Sequence, residues 1–265
     1  MGTNAKADIP LPSNVRRYFF PGTTHGGGRG GFNTGAPAVP NGCVLPANPN
    51  PQTETMRALT VALVDWVTKG TEPPSSRYPR LDQGQLAPAT KAAIGFPTLP
   101  GVPSPDGVVN PVLDNDYGKD FNYNDLSGLI TKEPPSIKQI IPTLVPKVDA
   151  DGMDVAGVAS VLRQAPLGTY LGWNVTAAGF DKGKACQLNG SYVPFAKSKS
   201  DRNASGDPRP SLEERYGTHQ GYVDAVKAAA EKAVAERFLL RSDADRLIAE
   251  AAASGVLRTD PSGDR

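Results

Sequence analysis

His25 and His219 are the only imidazoles in this chain of 265 residues, and the first of them is placed where proton chemistry is feasible. It lies in Pro21-Gly-Thr-Thr-His25-Gly-Gly-Gly28, directly after the run Val15-Arg-Arg-Tyr-Phe-Phe20. An imidazole held where a strand gives way to a flexible loop can take up and return a proton near neutral pH, the part a histidine plays in a nucleophile–base–acid relay. Two other uses of the same loop fit less well. His25-Gly-Gly-Gly28 matches loops that aim backbone amides at an oxyanion, but such loops precede a G-x-S-x-G turn and none follows here. Gly26, Gly28 and Gly31 satisfy G-x-G-x-x-G, yet Phe32-Asn-Thr-Gly-Ala-Pro37 does not open the helix that phosphate binding requires. His219 opens a helical run at the positive end of its dipole and reads as ordinary surface polarity.

The elements that position His25 read as follows. Val15–Phe20 predicts a strand, and Thr53–Lys69 predicts an amphipathic helix with Met56, Leu59, Leu63, Trp66 and Val67 on its core face and Gly70 as its stop. Together they suit the last strand and last helix of a doubly wound sheet. Such a strand wants parallel neighbours, so the reading predicts an open sheet edge. The middle of the chain is dense in proline, with β-like runs at Ile140–Val148 and Met153–Gly157 joined by a turn at Asp149-Ala-Asp-Gly152. That turn lacks the further acidic positions of a calcium loop. The tail is helical: Ser211-Leu-Glu-Glu214 is a capping box, a long helix runs from about His219 to Leu240, and Ser242-Asp-Ala-Asp245 opens another that ends near Gly255. Three parts result: 1–70, 71–209 and 210–265.

Leu11-Pro-Ser-Asn-Val-Arg16, Phe20-Pro-Gly-Thr-Thr-His25-Gly26, Asn48-Pro-Asn-Pro51 and the helix-like stretch Thr55–Trp66 occur in an order that resembles the C-terminal half of an α/β-hydrolase domain-containing protein. Val145-Pro-Lys-Val-Asp-Ala-Asp-Gly152, Thr169-Tyr-Leu-Gly-Trp-Asn174, Gly190-Ser-Tyr-Val-Pro-Phe195 and Asp207-Pro-Arg-Pro-Ser-Leu-Glu-Glu-Arg-Tyr-Gly217 extend the likeness over nearly the whole chain. The resemblance implies an α/β fold: a partial hydrolase sheet contributing its last strand and helix, a proline-rich insertion that caps the site, and a helical tail. In that family the reactive residues follow the order nucleophile, acid, histidine, with the serine on a G-x-S-x-G elbow. No such elbow occurs, and Ser160, Ser191 and Ser205 each lack the first glycine. The resemblance therefore assigns His25 as the catalytic histidine of a C-terminal segment whose nucleophile and acid are encoded elsewhere, with a small-molecule ester or amide as the substrate of the full protein. The alternative it leaves is a non-enzymatic accessory or substrate-binding module built on the same fold.

Composition narrows the partners. Lys and Arg number 28 against 27 Asp and Glu, and no block of like charge stands out, so neither nucleic acid nor an anionic membrane finds an electrostatic handle. The most apolar run, Leu59–Val67, is too short to span a bilayer and contains Asp65. The N-terminus lacks the apolar core of an export signal, and Lys6 stands where an acylation motif wants Ser or Thr. The compartment stays open. With 28 glycines and 26 prolines, much of the chain must be turns and loops. No cofactor or metal motif appears. Cys43 and Cys186 fit one long-range disulfide or two free thiols, and spacing does not decide between them. Remaining expectations for partners are the missing N-terminal half or a second copy of the chain.

Overall fold

The computed structural model describes residues 5–124 and 129–258, so positions 1–4, where a leader or acylation signal would be read, lie outside it. In chain order the elements are α1 (Thr53–Lys69), β1 (Leu86–Pro88), α2 (Lys91–Ile94), β2 (Val112–Asp116), β3 (Ser136–Ile141), β4 (Leu144–Pro146), α3 (Val161–Gln164), β5 (Gly168–Leu171), β6 (Ser191–Pro194), α4 (Lys199–Ser205), α5 (Leu212–Tyr216), α6 (His219–Ala235) and α7 (Arg241–Ala253). The strands pair as β1 with β4, β2 with β3 and β5 with β6, all antiparallel. Among the described residues, no helix is long and apolar enough to cross a membrane.

Two expectations are corrected here. Val15–Phe20 is extended but is not a strand of a parallel sheet; its one parallel contact is the bridge between Tyr18 and Arg77. The reason lies in its neighbours. The Phe19 amide donates to the Arg77 carbonyl (3.0 Å), its carbonyl accepts from the Val158 amide (2.8 Å), and the Tyr18 hydroxyl donates to the Pro74 carbonyl (2.5 Å). Backbone on both sides thus occupies the groups that a neighbouring strand would need. The second correction concerns α1. Its bounds and its left-handed Gly70 stop are as the sequence predicts, but the buried face is Thr55, Ala58 and Ala62, while Met56, Leu63 and Val67 are exposed. The small side chains are the covered ones, and the larger apolar ones are left outside.

The core is built around the β5/β6 hairpin. Both strands are almost entirely buried, as expected of strands covered on both faces. Alternation sends Tyr170 and Tyr192, stacked with ring centroids 5.2 Å apart, to one side. There they meet Leu162 of α3, Phe195 just after β6, and Tyr222, Val226 and Leu247 of the C-terminal helices. Leu171 and Val193 point the other way, into a smaller cluster with Leu45, Ile94, Phe96 and Leu99. At the hairpin edge the Arg209 guanidinium, 2 % exposed, donates to Asp207, Thr169 and the carbonyls of Val193 and Pro194. The Asp207-Pro-Arg motif is thereby a fully satisfied buried ion pair that fastens β6 to the start of α5.

The remaining expectations for local structure hold in part: the helix expected to reach Leu240 ends at Ala235, because Arg237 takes a positive φ of 64° and Leu240 is already the N-cap of α7. Asp149-Ala-Asp-Gly152 is a turn in which the Asp149 carboxylate accepts from the amides of Asp151 and Met153, 3.0 Å each. Met153–Gly157 contributes only a bridge between Asp154 and Val148. The Ser211 box caps α5, with Glu214 returning to the Ser211 amide at 2.9 Å. Cys43 and Cys186 form a disulfide, which resolves the choice the spacing leaves open.

Candidate functional site

His25 stands on a loop that is held rigidly at its base and is open at its tip. The base is Gly22, in the left-handed region at φ +56°, where an added Cβ would lie 2.3 Å from the Tyr170 carbonyl oxygen. Only glycine fits there. Its amide donates to Oδ2 of Asp154 (3.0 Å), and its carbonyl accepts from the side-chain amides of Asn48 and Asn50, 2.8 Å each. Asn50 in turn accepts from the Ser160 hydroxyl (2.5 Å), which also caps α3. Side chains from two distant segments therefore fix Gly22, and both its N–H and its C=O have partners.

Beyond Gly22 the loop is tied sideways. The Thr24 hydroxyl donates to the Leu188 carbonyl (3.2 Å) and accepts from the Gly190 amide (2.9 Å), and the His25 amide reaches the same carbonyl at 3.3 Å. The Cys43–Cys186 disulfide anchors the segment that carries Leu188. The glycines after His25 pack on Asn48–Pro51, with the Gly28 amide on the Asn50 carbonyl at 2.8 Å and the Gly27 amide on Thr24 at 2.9 Å. Two of the amides that an oxyanion loop would present are thus already used. The chain after Gly31 stays irregular, so no helix N-terminus faces a phosphate.

The imidazole of His25 is exposed and lines an open cleft of about 810 Å³ together with Phe20, Thr24, Gln52, Trp173 and Leu188. Among the described residues, no group hydrogen-bonds its ring and no serine lines this cleft. The cleft shares Phe19, Phe20, Thr23, Val108, Gly172 and Trp173 with a more enclosed cavity of about 360 Å³ whose wall includes Asp154. Burial pushes the Asp154 carboxyl up to about 6, against the lowering effects of the Gly22 amide and the Arg163 charge and with a small rise from Asp149. A carboxyl that titrates near neutrality in a cavity beside an exposed imidazole gives the site two proton-exchanging groups with different environments. Asp154 hydrogen-bonds Gly22 rather than the His25 ring, so it fixes the loop and does not orient the imidazole.

A family model described as "Alpha/beta hydrolase domain" matches residues 2–249. The chain belongs to this alpha/beta-hydrolase domain family. No curated protein and no solved structure matches it. Within the alpha/beta-hydrolase domain the described residues contain helices and small antiparallel sheets. His219 lies away from the cleft: its ring nitrogens contact the carbonyls of Val256 (2.7 Å) and Ala252 (3.2 Å), joining the start of α6 to the end of α7. Asp154 is the residue that sequence reasoning passes over. It lies in the β-like run Met153–Gly157, and nothing local announces that Gly22, 132 residues away, closes over it.

Proposed function

We propose that the chain carries the histidine side of a serine-type hydrolase centre that cleaves a small-molecule ester or amide, and that these 265 residues do not supply the nucleophile. Membership of the alpha/beta-hydrolase domain family supports hydrolase-type chemistry. The observation that carries the finer reading is the exposed, unbonded imidazole of His25 on a loop whose base is locked by Asp154, Asn48 and Asn50. In this scheme a serine from outside the chain attacks the carbonyl carbon and His25 takes its proton. The ring then returns that proton to the leaving alcohol or amine, and a water repeats the sequence on the acyl-enzyme. The absence of a serine along the described cleft wall, and of any G-x-S-x-G, favours a nucleophile supplied by another segment.

The test is labelling with a fluorophosphonate. The chain alone is expected to show no stoichiometric serine labelling and no turnover of an activated ester above that of free imidazole. In the reading frame that includes a G-x-S-x-G segment, labelling is expected, and His25→Ala should slow acylation by roughly 10³–10⁴-fold. Labelling of any serine in the chain alone, or acylation indifferent to His25→Ala, would overturn the reading. A non-enzymatic binding module is the second reading, favoured by the lack of any carboxylate on the His25 ring among the described residues.

A further inference from the structure

The enclosed cavity beside the His25 cleft has a chemistry of its own. Its walls are Phe19, Phe20, Ile94, Val108 and Trp173, with Asp154 as the single charged side chain among its lining residues. The other polar groups on its lining side chains are the Thr23 hydroxyl, which donates to the Phe20 carbonyl at 3.1 Å, and the indole N–H of Trp173. Among the described residues the Asp154 carboxylate makes no ion pair: Oδ2 accepts from the Gly22 amide, and the nearby Arg163 guanidinium donates to the Asp154 main-chain carbonyl instead. A carboxyl with acceptor capacity left over in an apolar wall selects ligands that bring a donor and rejects those that bring a negative charge. The volume, about 360 Å³, accommodates a compact ring or branched aliphatic group and no more than that. Because the cavity shares Thr23, Gly172 and Trp173 with the cleft, a group seated in it is continuous with the space in front of His25.

We infer that this cavity binds the apolar portion of the substrate, a small aromatic or branched aliphatic group bearing a hydroxyl or ammonium donor directed at Asp154. The word substrate rests on the hydrolase reading, whereas the binding itself does not. The charged groups acting on Asp154 are Arg163 on α3 and Asp149 across the turn; neither lines the cavity, and both are present for every ligand compared.

The experiment uses the full chain carrying Trp66→Phe, which leaves Trp173 as the sole indole, and titrates it with benzylamine, benzyl alcohol and benzoate. At about pH 7.5 benzylamine and benzyl alcohol are expected to perturb Trp173 fluorescence, with benzoate at least about ten-fold weaker, the ratio expected of one hydrogen bond to a charged group. Asp154→Asn keeps an acceptor for the Gly22 amide and is expected to bring benzylamine and benzoate to within about three-fold of each other while leaving benzyl alcohol nearly unchanged. Val109→Phe, in the wall shared by the cavity and the cleft, fills space without adding an indole, provides a second check and should weaken all three probes together. Equal binding of benzoate and benzylamine by the parent chain, an unchanged preference in Asp154→Asn, or no Trp173 response to any probe would overturn the inference. Failed ester turnover with intact probe selectivity would sink the hydrolase reading and leave the pocket standing.

Discussion

At the scale of single residues, Asp154 links loop geometry to pH. Its carboxyl ionises near 3.8 in an unfolded chain and at about 6 in the folded one, so folding favours the protonated form. The sign follows directly: the folded state binds more protons between these values, the contribution to stability is complete below about 3.8, and it is lost as pH rises through about 6. Asp154→Asn removes this loss without removing the acceptor for the Gly22 amide. Urea denaturation is expected to find the variant equal to the parent at about pH 4 and more stable at about pH 7.5 by about 1–3 kcal/mol, the order of the shift. A variant less stable than the parent at neutral pH would mean that the carboxylate gains more from Gly22 and Arg163 than it loses to desolvation. The bend that carries His25 was legible in the sequence because Pro21 and Gly22 must turn the chain there. Asp154 was not, since its environment is made by a segment more than a hundred positions away, and no periodicity encodes such a closure.

Among elements, local signals carried far and pairing signals did not. The bounds of α1, the Ser211 cap and the Asp149 turn are written in residues that touch one another along the chain. Which face of α1 is covered is set by partners, and the partners chose Thr55, Ala58 and Ala62 over the larger apolar residues. Val15–Phe20 has the composition of a strand, but Pro21 and the left-handed Gly22 end it, and Arg77 and Val158 saturate Phe19 before a sheet can form. Spacing was equally silent on the Cys43–Cys186 disulfide, which closes a span of 143 residues. Its placement gives a prediction. It holds the segment whose Leu188 carbonyl receives the His25 amide, so Cys43→Ser with Cys186→Ser is expected to cost about 2–5 kcal/mol and to raise amide exchange at Thr24 and His25 before the rest of the chain. Exchange that rises uniformly, with no excess at this loop, would show that the disulfide stabilises the chain only globally.

For the whole molecule, the question is whether the helical tail is an appendage or part of the same body. The larger core cluster contains Phe32 from before α1, Met153, Leu162, Tyr170, Tyr192 and Phe195 from the proline-rich middle, and Leu212, Tyr222, Val226 and Leu247 from the tail. It therefore crosses both positions, 70 and 209, at which the character of the sequence changes. Alanines 229, 230, 233, 244 and 251 let α6 and α7 approach each other closely, and Tyr222, fully buried, sets its ring edge-on to Phe32 at 6.0 Å and to Tyr216 at 5.0 Å. A chain ending at 209 would expose the faces of Tyr170, Tyr192 and Phe195 together. At about 25 cal/mol per Å² and about 150–250 Å² per aromatic side chain, that exposure forfeits on the order of 10 kcal/mol. Net stabilities of domains are about 5–15 kcal/mol, so the loss is comparable to all the stability available. The truncated chain is expected to give no near-ultraviolet aromatic dichroism and no sigmoidal urea transition, and the His25 loop, whose base rests on the Tyr170 carbonyl side of β5, should lose its exchange protection with it. A sharp transition in the 1–209 chain would instead mean that the β5/β6 hairpin finds enough cover in the smaller cluster around Phe96 and Leu99, and that the C-terminal helices contribute little to holding the cleft.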